Sequence, residues 1–234
     1  MENTNGKVVL KLGGSLLFDS DLAVDTPRIQ EFIEFVKANA SVIDCVIVGG
    51  GKIARLYINA LRSARENNSL QDLLGIRVAR LNALAMAMLA GPEVTYQGVP
   101  GSIEEVLQIK STAPGKVVFV GGFEVGQSTT SVACEVAESL EAAKLVIGTD
   151  VDGIYTSDPN KDPSAVKLDQ ATTAEVAEIL GSNTNQMAGE YRVLDTVSLS
   201  IIARSKIPTR IVKGDLPVLE AAIRGDEVGT LILP

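Results

Sequence analysis

Lys11 lies near the end of a run of strand-forming residues in "KVVLKLGGSLLF", from Lys7 to Phe18, one residue before the break into Gly13, Gly14 and Ser15. A buried strand has little use for an ammonium, and a strand interior has little use for two glycines. The stretch is either a tight turn or a backbone cleared for the close approach of a ligand. At a strand end, the lysine can project as a point charge toward phosphate. A second break, "VIVGGGKIAR", puts Gly49, Gly50 and Gly51 between an apolar strand and a helical stretch containing Arg55. Amides at such a helix start suit an anion, although a structural strand-to-helix turn explains the glycines equally well.

Residues Gly121 to Ser128, "GGFEVGQS", follow the spacing of a phosphate-binding P-loop with Gln127 in place of the lysine. Phe123, Glu124, Val125, Gly126, Gln127, Ser128 and Thr129 thus form a polar loop without a cation. It suits a base, a sugar and one phosphate better than a triphosphate; the competing reading is a flexible turn. The stretch "GTDVDGIYTSDP" follows the strand "KLVI" and carries Asp150, Asp152 and Asp158. Gly153 comes too early for an EF-hand, so the local expectation is a β-hairpin around Asp152-Gly153. Thr149, Asp150, Tyr155 and Asp158 would then line an edge against which a nucleotide lies. Asp72 stands in capping-box spacing with Ser69, which accounts for it without any ligand.

The sequence contains no histidine. Ser-His-Asp catalysis, histidine-ligated metal and a histidine general base are excluded together. Cys45 and Cys134 are the only cysteines, in contexts that read as a strand and a helix, so neither a disulfide framework nor a zinc cluster is expected. Acidic residues outnumber basic ones by 29 to 21, a formal charge of −8 that disfavours nucleic acid and anionic membranes as partners. The start lacks a basic segment followed by an apolar run, and no apolar stretch of spanning length is read later. A soluble cytoplasmic protein is the expectation.

The elements that must position these residues alternate. Strand-like runs "KVVLKL", "VIDCVIV", "KVVFV", "KLVIGT", "TRIVK" and "GTLIL" are separated by helical stretches. Thr26 and Pro27 read as N-cap and first helical residue, and Ser102 with Glu105 and Thr172 with Glu175 have capping-box spacing. Such alternation predicts an α/β fold with a mostly parallel sheet covered on both faces, and one domain over residues 1–234 with two halves dividing near residues 110 to 145. In such sheets ligands collect at the carboxyl ends of the strands, where the four loops lie.

The segments "KLGGS", "VGGGKIAR", "GGFEVGQST" and "TDVDGIYTSDP", in this order, resemble the amino acid kinase family. The stretches "DLLGIRVARLNALAM", "GGFEVGQSTTSVACEVAE" and "QMAGEYRVLD" are similar to its archaeal-type uridylate kinases. The resemblance implies a three-layer αβα sandwich around a mainly parallel sheet of about eight strands, with UMP as acceptor and ATP with Mg²⁺ as donor, in pyrimidine nucleotide biosynthesis. Position by position, it implies Lys11 as the catalytic cation, with Gly13, Gly14, Ser15, Gly51, Arg55, Thr149, Asp150, Tyr155 and Asp158 on the ATP side. It implies Gly50, Asp72 and Phe123 to Thr129 on the UMP side, no metal-ligating side chains, and a homohexamer. The N-terminal half would bind the acceptor and the C-terminal half ATP. Asp150 stands where many members have asparagine, and Ser15 replaces a basic residue found in some. A second lysine at the transfer site would be Lys206 or Lys213. Members acting on isopentenyl phosphate or fosfomycin are expected to use a histidine, absent here. Carbamate or acidic amino acid kinases, and a noncatalytic nucleotide sensor or storage protein, are the alternatives.

Overall fold

The computed structural model describes residues 7–18, 21–157, 162, 164–181 and 193–234. The strands are β1 (Val8–Leu12), β2 (Ile43–Val48), β3 (Val118–Val120), β4 (Lys144–Thr149), β5 (Ile154–Tyr155), β6 (Lys167–Leu168), β7 (Gln170–Thr172), β8 (Thr209–Lys213) and β9 (Thr230–Leu233). The helices are α1 (Thr26–Ala38), α2 (Gly51–Ser63), α3 (Asn68–Ala90), α4 (Ile103–Thr112), α5 (Thr129–Ser139), α6 (Thr173–Gly181), α7 (Thr196–Ser205) and α8 (Leu216–Arg224). A 3-10 turn, Gly14–Leu17, follows β1.

Seven strands form one sheet in the order β3-β2-β1-β4-β8-β9-β7. Strands β3 to β8 of this order run parallel, β9 is antiparallel to β8, and β7 is parallel to β9. Alternation along β1 sends Val8, Leu10 and Leu12 to one face, where Phe32 of α1, Met86 of α3 and Leu219 of α8 pack. Val9 goes to the other, against Val106 of α4, Val132 of α5 and Ile202 of α7. Burial on both faces is why these strands read as unbroken apolar runs, and each large side chain so buried contributes about 1.5–3 kcal/mol. The three-layer α/β expectation holds, with seven strands in the main sheet and β5-β6 as a separate antiparallel ribbon.

Three local expectations are corrected. The N-cap of α1 is Asp25, whose carboxylate accepts from the Arg28 amide at 3.1 Å, and Thr26 already lies within the helix with Pro27 in its first turn. No hairpin closes around Asp152-Gly153: β5 pairs instead with β6, and the Ile154 amide donates to Thr230 Oγ1 at 2.8 Å. Helix α3 is capped by Asn67, whose side chain accepts from the Leu70 amide at 3.0 Å, so Asp72 is free of the capping role assigned to it. Of the other two boxes one closes: Thr172 and Glu175 cap α6 reciprocally, at 2.7 and 3.1 Å through the backbone amides. Ser102 caps α4 by accepting from the Glu105 amide at 3.3 Å, but the Glu105 carboxylate accepts from the Gly101 amide at 2.7 Å rather than from that of Ser102, so the box there is half made.

Helix α3 is long and apolar enough to cross a membrane, with a mean hydropathy of 1.5 over its most apolar window. It is nevertheless packed on α1, α2, β2 and β3. The chain leaves β1 toward β2 on one side and later returns from β3 to β4 on the other, so a switch point lies at the carboxyl end of β1.

Candidate functional site

A cleft of about 510 Å³ opens at that switch point. Its floor is the end of β1 and the turn Gly13–Ser15; one wall is the turn Gly49–Gly51 with Arg55 of α2. Asp72, Gly75, Ile76 and Ala79 of α3 form a second wall, and Gly126 to Thr130 with Asp195, Thr196 and Val197 close the third.

Lys11 shares the face of Val9 by strand alternation and is only 6% exposed. Burial lowers its pKa from 10.5 to about 8, and the Asp150 charge opposes that shift. Near it lies Ser15 Oγ, a buried hydroxyl without a hydrogen-bond partner. A Cβ placed on Gly13 would stand 3.6 Å from this oxygen and 3.9 Å from Lys11 Nζ, so cation and hydroxyl flank the same bare backbone.

Gly14 and Gly51 are glycines for a reason besides ligand approach. A Cβ on Gly14 would collide with the backbone of Gly49 and Gly51, and one on Gly51, whose φ is +64°, would collide with the Gly14 carbonyl. The turns after β1 and β2 interlock backbone to backbone. Gly50, at the N-cap of α2, makes no side-chain cap bond, and the first-turn amides of a helix have no intrahelical acceptor. These amides and the helix dipole face the cleft with Arg55 one turn further on.

Across the cleft, Asp72 Oδ2 accepts from the Gly126 amide at 3.0 Å, which ties α3 to the loop after β3. Gln127 Nε2 donates to Glu135 Oε1 at 2.7 Å, and burial raises the Glu135 pKa. Ser128 caps α5 by accepting from the Ser131 amide at 3.0 Å. Its hydroxyl also donates to Asp195, the residue that caps α7. One carboxylate therefore joins the starts of two helices.

Of the residues singled out in the sequence, Lys11, Gly13, Gly14, Ser15, Gly50, Gly51, Arg55, Asp72 and Gly126 to Thr129 line the cleft together. Phe123 does not: its ring is buried in the core, and Glu124 and Val125 are exposed at the loop tip. Thr149 is buried at the end of β4 and donates to Asp150 at 3.2 Å, beside the cleft rather than in its lining. Tyr155 belongs to the β5-β6 ribbon and donates to Asp152 at 2.7 Å, a bond that raises its pKa. Asp158 lies outside the described residues, as does most of the stretch Gln186 to Asp195.

Geometry separates the two remaining lysines. Lys206 sits in a left-handed conformation, φ 57°, at the end of α7, and leads into the amino end of β8, away from the cleft. Lys213 lies at the carboxyl end of β8 in register with Thr149, with its ammonium 3.1 Å from Asp215. Sequence reasoning missed Asp195, Thr196 and Val197 as site residues, although Asp195-x-x-Ser198 has the spacing of the capping box that forms there.

The description "Amino acid kinase family" fits residues 6–213, and the chain belongs to that family. It is 40% identical over 233 residues to the uridylate kinase of Thermofilum pendens, covering 96% of each chain. To that of Metallosphaera sedula it is 39% identical, covering 97% of this chain and 99% of the relative. The solved uridylate kinase of Archaeoglobus fulgidus superposes with a TM-score of 0.81 at 34% identity, over 97% of this chain and 99% of that one. The UMP kinase of Bacillus anthracis shares the fold at 18% identity, with a TM-score of 0.78 over 97% of this chain and 96% of its own.

Proposed function

We infer that this chain transfers the γ-phosphoryl group of ATP to the phosphate of UMP, giving UDP and ADP. The observation that carries the reading is the cleft itself: a buried ammonium and the glycine turn at the start of α2 face Asp72 and a cation-free polar loop, in a chain alike over its length to uridylate kinases. The acceptor phosphate is already an anionic nucleophile, so no general base is needed and the missing histidine is intelligible. Alignment and charge neutralisation carry such a transfer.

In this reading Lys11 neutralises the moving phosphoryl group, and the amides of Gly14, Gly50 and Gly51 hold the flanking oxygens. Ser15 Oγ, unpartnered in the protein, gains a phosphate oxygen. The N-terminal half seats UMP, with Asp72 on the ribose hydroxyls and Gln127 at the base. The C-terminal half seats ATP along Thr149, Asp150, Tyr155 and Asp158. Among the described residues no three His, Cys, Asp or Glu side chains gather as a metal cage. Mg²⁺ would arrive with the nucleotide phosphates, and Asp150, whose carboxylate accepts from Thr149 Oγ1 and acts on Lys11, is the side chain that would hold its water shell. Bound there, the ion would supply further neutralisation of phosphate charge.

A homohexamer acting in the cytoplasm completes the proposal. Support for assembly comes from α3, whose Leu73, Leu81 and Met88 are 40%, 64% and 64% exposed along one stripe. ADP release measured with UMP, CMP, carbamate and aspartate tests the function. UMP is expected to be turned over best and CMP poorly; carbamate or aspartate turned over faster than UMP overturns the reading.

A further inference from the structure

Two polar side chains of α3 hold the cleft without any place in the chemistry above. Arg80 donates from Nε to the Gly122 carbonyl at 2.8 Å, and from Nη2 to those of Gly101 and Phe123 at 3.1 and 3.2 Å. Asn82 donates from Nδ2 to the Gly49 carbonyl at 2.9 Å and to that of Gly50 at 3.4 Å. Two residues apart, the two side chains leave the helix about 200° from one another. Helix α3 therefore runs between the two loops that face each other across the cleft, and takes hold of each by its carbonyls.

The fit leaves no slack on the Arg80 side. A Cβ on Gly121 would come within 2.6 Å of the Arg80 amide nitrogen, and one on Gly122 within 3.0 Å of Ile76 Cγ1. The loop lies flat on the helix, and the planar guanidinium fork reaches three carbonyls from one position. An ammonium is a point charge and does not reproduce that span.

We propose that Arg80 and Asn82 are positioning residues with divided duties: Arg80 fixes the seat of the UMP nucleoside, and Asn82 fixes the glycine turn that receives phosphate. The proposal rests on the UMP kinase reading above. Neither side chain touches substrate. Without the Arg80 fork, the loop from Gly122 to Thr129 is no longer set in its binding form, and UMP must order it at a cost in affinity. Without Asn82, the amides of Gly50 and Gly51 lose register with the reacting phosphates, which tells on the transition state more than on binding.

The two losses have different kinetic signatures, which a general structural role would not produce. Arg80→Lys is expected to raise KM for UMP about tenfold or more and to weaken discrimination against CMP, with kcat within about threefold and KM for ATP unchanged. Asn82→Ala is expected to lower kcat about tenfold or more, with KM for UMP within about threefold. The same pattern of loss in both variants, or parental kinetics in either, overturns the proposal. Thermal melts accompany the assays, and Arg80→Gln and Asn82→Ser form a second pair should the first not fold. If no replacement at one of these positions folds, its contacts are a requirement of folding and the proposal is overturned. A parental chain with no UMP-dependent turnover is the failure of the underlying function, and is distinct from a working parent whose variants behave alike.

Discussion

At Lys11 an ammonium is held where water is nearly absent, and burial brings its pKa to about 8. Between about pH 8 and 10.5 the folded chain binds fewer protons than the unfolded one, so the contribution of this group to stability rises through that window and is least favourable below it. Lys11→Met keeps the stem and removes the charge. At pH 7 it is expected to raise the melting temperature, by up to about 3 kcal/mol of stability, while lowering kcat by about 10²-fold or more. A variant that melts below the parent at pH 7, or turns over UMP at the parental rate, contradicts the role given to Lys11. This residue was legible in the sequence because a charge near the end of an apolar strand is an anomaly. Arg80 and Asn82 were not, because polar residues on a helix read as a solvated face. Their partners are backbone carbonyls of loops remote in sequence, which leave no mark in residue type. Asp72 had a local explanation at hand, and only the fold shows that Asn67 takes the cap instead.

Among the elements, the long apolar strands were readable because each is buried on both faces. Strand β7, "QAT", was not: it is three residues long with one buried side chain, and exists because β9 offers it an edge. The β5-β6 ribbon was missed for a related reason, since Asp152-Gly153 has hairpin chemistry but the strand it leads into pairs with a later segment. The glycine turns were recognised as a place of close approach, while what approaches is in part another turn. This distinction has a direct test in two neighbouring substitutions. Gly14→Ala forces a Cβ into the backbone of Gly49 and Gly51 and is expected to cost about 2 kcal/mol or more. Gly13→Ala, whose Cβ would meet the Gly148 carbonyl at an ordinary 3.4 Å, is expected to stay within about 0.5 kcal/mol. Urea unfolding of the pair measures both; equal midpoints would mean that the turns are not interlocked.

For the whole molecule, the helix that holds both loops facing across the cleft also carries the exposed stripe of Leu73, Leu81 and Met88. Leu81→Asp puts a charge in the middle of that stripe without touching the cleft. If the parent assembles through this stripe, as proposed, light scattering is expected to show a smaller particle for the variant than for the parent; an unchanged mass would place the interface elsewhere. The Lys11 environment has a consequence at the same scale. Phosphates set beside that ammonium favour its protonated form, so near pH 8 the binding of ATP draws a proton from the buffer, and above it nucleotide affinity falls by as much as about tenfold per pH unit. Calorimetric titrations in two buffers of different ionisation heat read that proton directly, and equal apparent enthalpies at pH 8 would show that none is taken up. Asp150→Asn removes the charge that opposes desolvation of the lysine. The alkaline loss of affinity should then begin at lower pH, which makes Asp150 the residue that sets the upper pH at which this chain still grips its nucleotide.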